Sequence, residues 1–299
     1  RKLNLSLGIS EDNLFGVRDS LISSASYAAR LGVSFEDLTK IQGSYADETG
    51  RVVRLSQQSL EAISQMAMGT TMGAEQSATM AGQFELIGKN AEQTRDFYEN
   101  LVNSSEKFGV NSSKVIKLVN ENLKKSQQYV FKGGVKGLGE MAKFAEKFKV
   151  DMVGTFAAMD KARGLEGAVD MAAQLQVIGG EFSKTDPFQL LFQSRNDAKG
   201  FAETMQKLTK NLTTFNKETG EFEIAAGNLD RIRLASEATG YTVEALGDMA
   251  RRGAKIDMIE GMIGTLNKDD REFLSSAAEV GKGGVITIKT PDGKVKDLK

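Results

Sequence analysis

Histidine, cysteine and tryptophan are missing from all 299 residues, and proline occurs only twice, at Pro187 and Pro291. Without Cys and His there is no thiol nucleophile, no imidazole base, no disulfide and no ordinary zinc site. Charge of one sign is lacking too: 39 Lys and Arg against 40 Asp and Glu leave a net charge of −1. A balance of this kind supplies no strong field for phosphates or anionic lipid, so no sequence-specific nucleic-acid binding is expected. Phosphate-binding loops are absent as well: Lys89 and Lys282 each follow a glycine, but neither has the upstream glycine and downstream Ser or Thr of a P-loop. The sequence implies no cofactor and no metal.

What is present is a core-forming, helical pattern. Apolar residues make up 40% of the chain, enough for one large domain or two ordinary ones. Phe97, Leu101, Ser105 and Phe108 fall on one helical stripe, with Tyr98 and Val102 beside it. Val115, Leu118, Val119 and Leu123 form another; Met141, Phe144, Ala145 and Phe148 a third; Met152, Phe156 and Met159 a fourth. Around residues 29–38, 106–118, 146–159 and 238–250 one helix stops and the next begins. Gly32, Gly109 and Gly240 suit the left-handed stop, and Ser34, Asn111 or Ser112, Asp151 and Thr242 suit the following N-cap. Unequal intervals between these joints argue against a regular solenoid.

Two segments alternate as strands do. Residues 213–224 turn at Thr219-Gly220, and residues 285–298 turn at Pro291-Asp292-Gly293, so both read as β-hairpins. The expected class is mainly α, an irregular set of helical hairpins or a bundle with one or two short β-hairpins. Three regions are expected: an Ala-, Met- and Gly-rich helical region over 1–140, a helical domain with an elbow and hairpin over 141–280, and 281–299 as a GKGG linker and hairpin leading onward. The chain opens at Arg1 rather than Met, as a piece of a longer polypeptide would.

Candidate chemistry is sparse. GLGEMA at 137–142 has the outline of a dinucleotide turn, but no βαβ alternation surrounds it, and it reads as a flexible joint between helices. Asp269-Asp270 and Asp47-Glu48 are carboxylate pairs that could in principle bind a hard cation or do acid–base work such as peptidoglycan cleavage; adjacent helical carboxylates are more often solvated. From Ala62 to Phe84 the only charge is Glu75, and Gly69, Gly73, Ala74, Ala78 and Gly82 recur at four-residue spacings that let helices approach closely, including helices of separate copies. Its length allows a membrane-active or pore-forming alternative, with transient host-membrane contact, although Gln, Ser and Thr keep its hydropathy low.

The stretch QVIGGEFSKTDPFQLLFQSRND at 176–197 follows capping logic. Gly179 and Gly180 end one helix; Asp186 caps the next, Pro187 takes its first position and Gln189 would complete a capping box. Phe188, Leu191 and Phe192 then form one stripe expected to glue the elbow down, and Asn196-Asp197 cap a further helix carrying Phe201, Met205, Leu208 and Leu212.

This elbow, followed by the FNKETGEF hairpin and the LDRIRLASEATGYTVEAL helices, resembles a region of the tail tape-measure proteins of large tailed bacteriophages. The likeness covers roughly 141–260; the first 140 residues share only its Ala-, Met-, Ser- and Gly-rich texture. It implies a non-enzymatic virion protein of the tail lumen and tip, assembled in the host cytoplasm, that organises tail length until genome ejection. The implied partners are copies of itself as a trimer or hexamer, the tail hub or baseplate, and tail tube proteins. A ruler must be extended, at about 1.5 Å per residue if helical. The many helix stops instead predict a folded, tip-proximal part that anchors.

Overall fold

The computed structural model describes residues 11–51, 54–289 and 295–297. It is mainly α-helical with a few short antiparallel strands, as the periodicity predicts. Two compact units divide the chain, Arg1–Asn103 and Ser104–Lys299. Helices downstream of residue 103 that the composition grouped with the first region therefore pack inside the second unit.

The first unit contains α1 (Glu11–Arg30), α2 (Phe35–Thr49), α3 (Gln57–Gly69), α4 (Gly73–Leu86) and most of α5 (Ala91–Lys107). Helix α2 starts at a closed capping box: Ser34 Oγ accepts from the Asp37 amide, and the Asp37 carboxylate accepts from the Ser34 amide. The Ser34 hydroxyl, which donates to the same carboxylate, and then the Ser34 amide hold the Asp37 carboxyl below its ordinary pKa. Leu21, Leu38, Ile41, Leu60, Ile63 and Phe84 are fully buried, as the amphipathic spacing demands. Tyr98 joins Phe84 and Phe97 in a triad of rings with centroids 5.2 to 5.7 Å apart, a spacing favourable for edge and tilted contacts.

In the second unit α6 (Ser112–Asn122) and a 3-10 turn lead to α7 (Val135–Phe148), α8 (Met152–Ala162), α9 (Leu165–Ile178), α10 (Pro187–Asn196) and α11 (Ala198–Leu208). A hairpin of β1 (Thr213–Asn216) and β2 (Glu221–Ile224) follows, then α12 (Leu229–Thr239), α13 (Val243–Met262) and α14 (Lys268–Ala277). Asn111, Asp151 and Thr242 cap α6, α8 and α13 through their side chains. Gly32, Gly109 and Gly240 all adopt positive φ at the preceding stops, and Lys149 takes the same role at the one joint that lacks glycine. Gly109 has a second duty within the second unit: a Cβ there would lie 2.5 Å from the Phe273 carbonyl oxygen, so glycine lets α14 pack against the turn that precedes α6.

The first hairpin forms with Phe215 opposite Phe222 and Lys217–Gly220 as its connection, Gly220 at positive φ. A two-stranded ribbon is marginal alone; here β2 lies on α13. At the end of the chain β3 (Glu279–Val280), β4 (Ile286–Lys289) and β5 (Val295–Asp297) form a three-stranded antiparallel sheet in that order. The expected second hairpin is thus β4–β5, and its Pro291-Asp292-Gly293 turn lies outside the described residues.

Two expectations change. Gly281–Gly284 is not a spacer: it is the tight connection from β3 to β4, its Gly283 amide donates to the Lys217 carbonyl of the first hairpin, and Ile286 closes a small core with Ile259, Ile263 and Ala278. A two-residue strand is too short to show alternation, which is why β3 left no signal. GLGEMA is not a joint either, since residues 137–142 are helical within α7. A Cβ on Gly137 would stand 2.3 Å from the Lys132 carbonyl oxygen, so the glycine serves close packing of the chain entering the helix, and the joint proper is Gly133-Gly134.

Candidate interaction surface

The elbow forms as its caps require. Gly179 and Gly180 have φ of 77° and 64°, ending α9, and a 3-10 turn over Gly180–Lys184 buries Phe182. The Gln176 side-chain amide donates to the Thr185 carbonyl at 2.7 Å, closing the loop across its base, and buried Thr185 Oγ1 donates to the Phe182 carbonyl. Pro187 is the first residue of α10 and Asp186 its N-cap. The box with Gln189 does not close, however: the Asp186 carboxylate accepts from the Phe188 amide at 2.8 Å, one residue earlier in the turn.

One side of α10 is tied firmly to the body. Leu190 is fully buried; Ser194 Oγ donates to the Ala162 carbonyl at 3.0 Å, Arg195 Nε to the Arg163 carbonyl at 2.8 Å, and Thr204 of α11 to Gln193 at 2.9 Å. The expected glue is on the other side. Phe188 is 69% exposed and Phe192 62% exposed, while Leu191 is half-buried. The i, i+3, i+4 spacing identified a common face but not its direction; Leu190 and Ser194, four apart, define the inward one.

Helix α9, packed beside α10, has exposed apolar residues of its own. Met171, Leu175 and Ile178 point inward as their spacing predicts, whereas Leu165, Val169 and Val177 are exposed, Val177 to 87%. With exposed Ala173 they recur every fourth residue, a second apolar stripe on one helix. That spacing was visible in the sequence but was hidden by the stronger inward stripe. Single exposed apolar residues are ordinary, whereas several on two adjacent helices make this hairpin the candidate interaction surface.

The small-residue row behaves differently. It is not one helix: Thr70 closes α3 by donating its hydroxyl to the Met66 carbonyl, and Gly73 opens α4 at positive φ. Gly69 and Gly73 are therefore exposed at a break and Ala74 is half-buried, while Ala78 and Gly82 are buried. A Cβ on Gly82 would meet Glu48 Cβ at 3.1 Å, so its close approach is between α4 and α2 of the same chain. Among the described residues no helix is long and apolar enough to cross a membrane. Asp270 serves the N-cap of α14 through Asn267, and no group of three acidic residues among those described could hold a metal. Comparison of the chain with protein-family models, curated proteins and solved structures finds no match to any of them.

Proposed function

We propose that this chain is a non-enzymatic assembly protein, a folded tip-proximal segment of a phage tail tape-measure protein, which associates with copies of itself through the outer face of the α9–α10 hairpin. The observation that carries the docking role is the exposure of Phe188 and Phe192 on a short helix whose opposite side is fixed by Leu190, Ser194 and Arg195. Aromatic anchors on a rigid support lose little conformational freedom on binding, and such residues dominate interface energetics. A net charge of −1 sets up no long-range repulsion between copies, and the rim carries both signs, including the Lys184–Glu181 pair at 2.8 Å. The tail assignment rests on the resemblance of elbow, hairpin and following helices; the repeated helix stops favour anchor over ruler.

Electron microscopy of tails assembled with residues 176–197 deleted in frame separates the two roles. An anchor predicts tails of unchanged length with defective tips or failed assembly. Otherwise normal tails shortened in proportion to the deletion would refute it.

A further inference from the structure

A cleft of about 390 Å³ lies in the second unit between the β2 end of the first hairpin, α13 and β3, away from the elbow. Its wall combines Lys149, Arg251, Arg252 and Lys255 with Glu221, Asp248 and Glu279, beside the apolar Phe222 and Val280. The charges are unevenly placed. The Lys255 side chain is only 15% exposed, and its ion-pair partner Glu279 is 65% exposed on a two-residue strand. Arg251 pairs with Asp248 at 2.7 Å. Arg252 gives Nε to the Lys147 carbonyl at 2.8 Å and Nη2 to the Ser276 carbonyl at 3.0 Å, and its Nη1 has no partner among the described residues. Burial lowers the pKa of both Arg252 and Lys255, against the pull of Glu279 on each.

From this geometry we infer that the cleft is a binding site for a carboxylate presented by an acidic, otherwise apolar protein segment, with Lys255 and the free edge of Arg252 as its receptors. Glu279 marks the position: an exposed carboxylate of the chain itself, paired with Lys255, occupies the place where a ligand's would sit. The apolar neighbours Phe222 and Val280 suit flanking aliphatic side chains. Four cations face three carboxylates in the wall, a balance that suits one added carboxylate rather than a run of phosphates, which disfavours nucleic acid. This site is independent of the tape-measure reading.

The test uses the full chain and the peptide N-acetyl-Leu-Glu-Leu-amide, followed by NMR titration, with the Gln-for-Glu peptide, inorganic phosphate and hexathymidylate as comparators. The Glu peptide should bind and the Gln peptide should bind more weakly by about tenfold, as loss of one charged hydrogen bond implies. Lys255→Gln should weaken the Glu peptide by about the same factor. Glu279→Gln should tighten it, because an intramolecular competitor at high effective concentration is gone. Should Lys255→Gln misfold by circular dichroism, Glu279→Gln on the exposed strand decides alone. Absence of binding, equal binding of both peptides, no gain in Glu279→Gln, or tighter binding of phosphate or hexathymidylate would each overturn the assignment.

Discussion

The Tyr241 hydroxyl donates a 2.6 Å hydrogen bond to Thr155 Oγ1, joining the start of α13 to α8 across 86 residues of sequence. Both groups are buried, and Thr155 Oγ1 in turn donates to the Asp151 carbonyl at 2.7 Å. Burial pushes the Tyr241 pKa far up, so the hydroxyl stays a donor at any ordinary pH. Tyr241→Phe should cost about 1–2 kcal/mol, the net worth of a buried hydrogen bond whose partner is left short. Urea denaturation followed by circular dichroism measures it, and a double-mutant cycle with Thr155→Val should recover much of that loss as coupling.

Two glycine-to-alanine changes in helices should act with opposite signs. Gly43 within α2 has nothing within 4 Å of an added Cβ and helical φ, so Gly43→Ala should stabilise by about 0.5–1 kcal/mol. Gly137→Ala in α7 drives a methyl into the Lys132 carbonyl and should destabilise by about 1–3 kcal/mol. Thermal denaturation of both variants checks the pair.

Alkaline pH should expose Tyr129. Burial first, and then its 2.8 Å hydrogen bond to Asp160, push its pKa up to about 12. The folded state then holds a proton that the unfolded chain releases near the ordinary tyrosine pKa of about 10. Its contribution is fully present below pH 10 and is lost as pH rises toward 12. The stability difference between the parent chain and Tyr129→Phe should therefore shrink across that window. A difference independent of pH would refute this linkage.

Lys147 is a buried cation with Ser275 Oγ at 2.8 Å, the Phe108 ring centroid at 4.8 Å and Glu260 at 3.7 Å. Desolvation lowers its pKa against the pull of Glu260 and Glu272, so the charge is poorly compensated there. Replacing it by an apolar side chain of similar length removes that penalty. Lys147→Met should match or exceed the parent in stability, while Lys147→Ala should lose about 2 kcal/mol to the cavity; urea denaturation midpoints separate them.

Much of the fold was legible because its signals are local. Ser34 with Asp37, Asn111, Asp151, Asp186 with Pro187, and the glycine stops at Gly32, Gly109 and Gly240 all act within a few residues of themselves. What was not legible depended on distant partners. Leu190 rather than Phe188 faces inward because Ala162 and Arg163 supply carbonyls for Ser194 and Arg195, a relationship across more than one helix. The same applies to the cleft, where Lys255 and Glu279 meet only after α14 turns the chain back. The small-residue row divides for another reason: four-residue spacing persists through the break at Thr70–Met72, where helical periodicity no longer applies. Gly82 therefore makes the close approach that the spacing implies, and Gly69 and Gly73 do not.

The proposed anchor predicts that Phe188→Ser and Phe192→Ser together leave folding almost unchanged, within about 0.5 kcal/mol as for other solvent-exposed positions. Equal circular dichroism and denaturation midpoints would establish that. Sedimentation velocity of the parent chain and this double variant over a range of concentrations is then the most direct measurement. Self-association through Phe188 and Phe192 predicts concentration-dependent association of the parent that the double variant lacks. A parent that stays monomeric throughout, or a double variant that associates equally well, would contradict it.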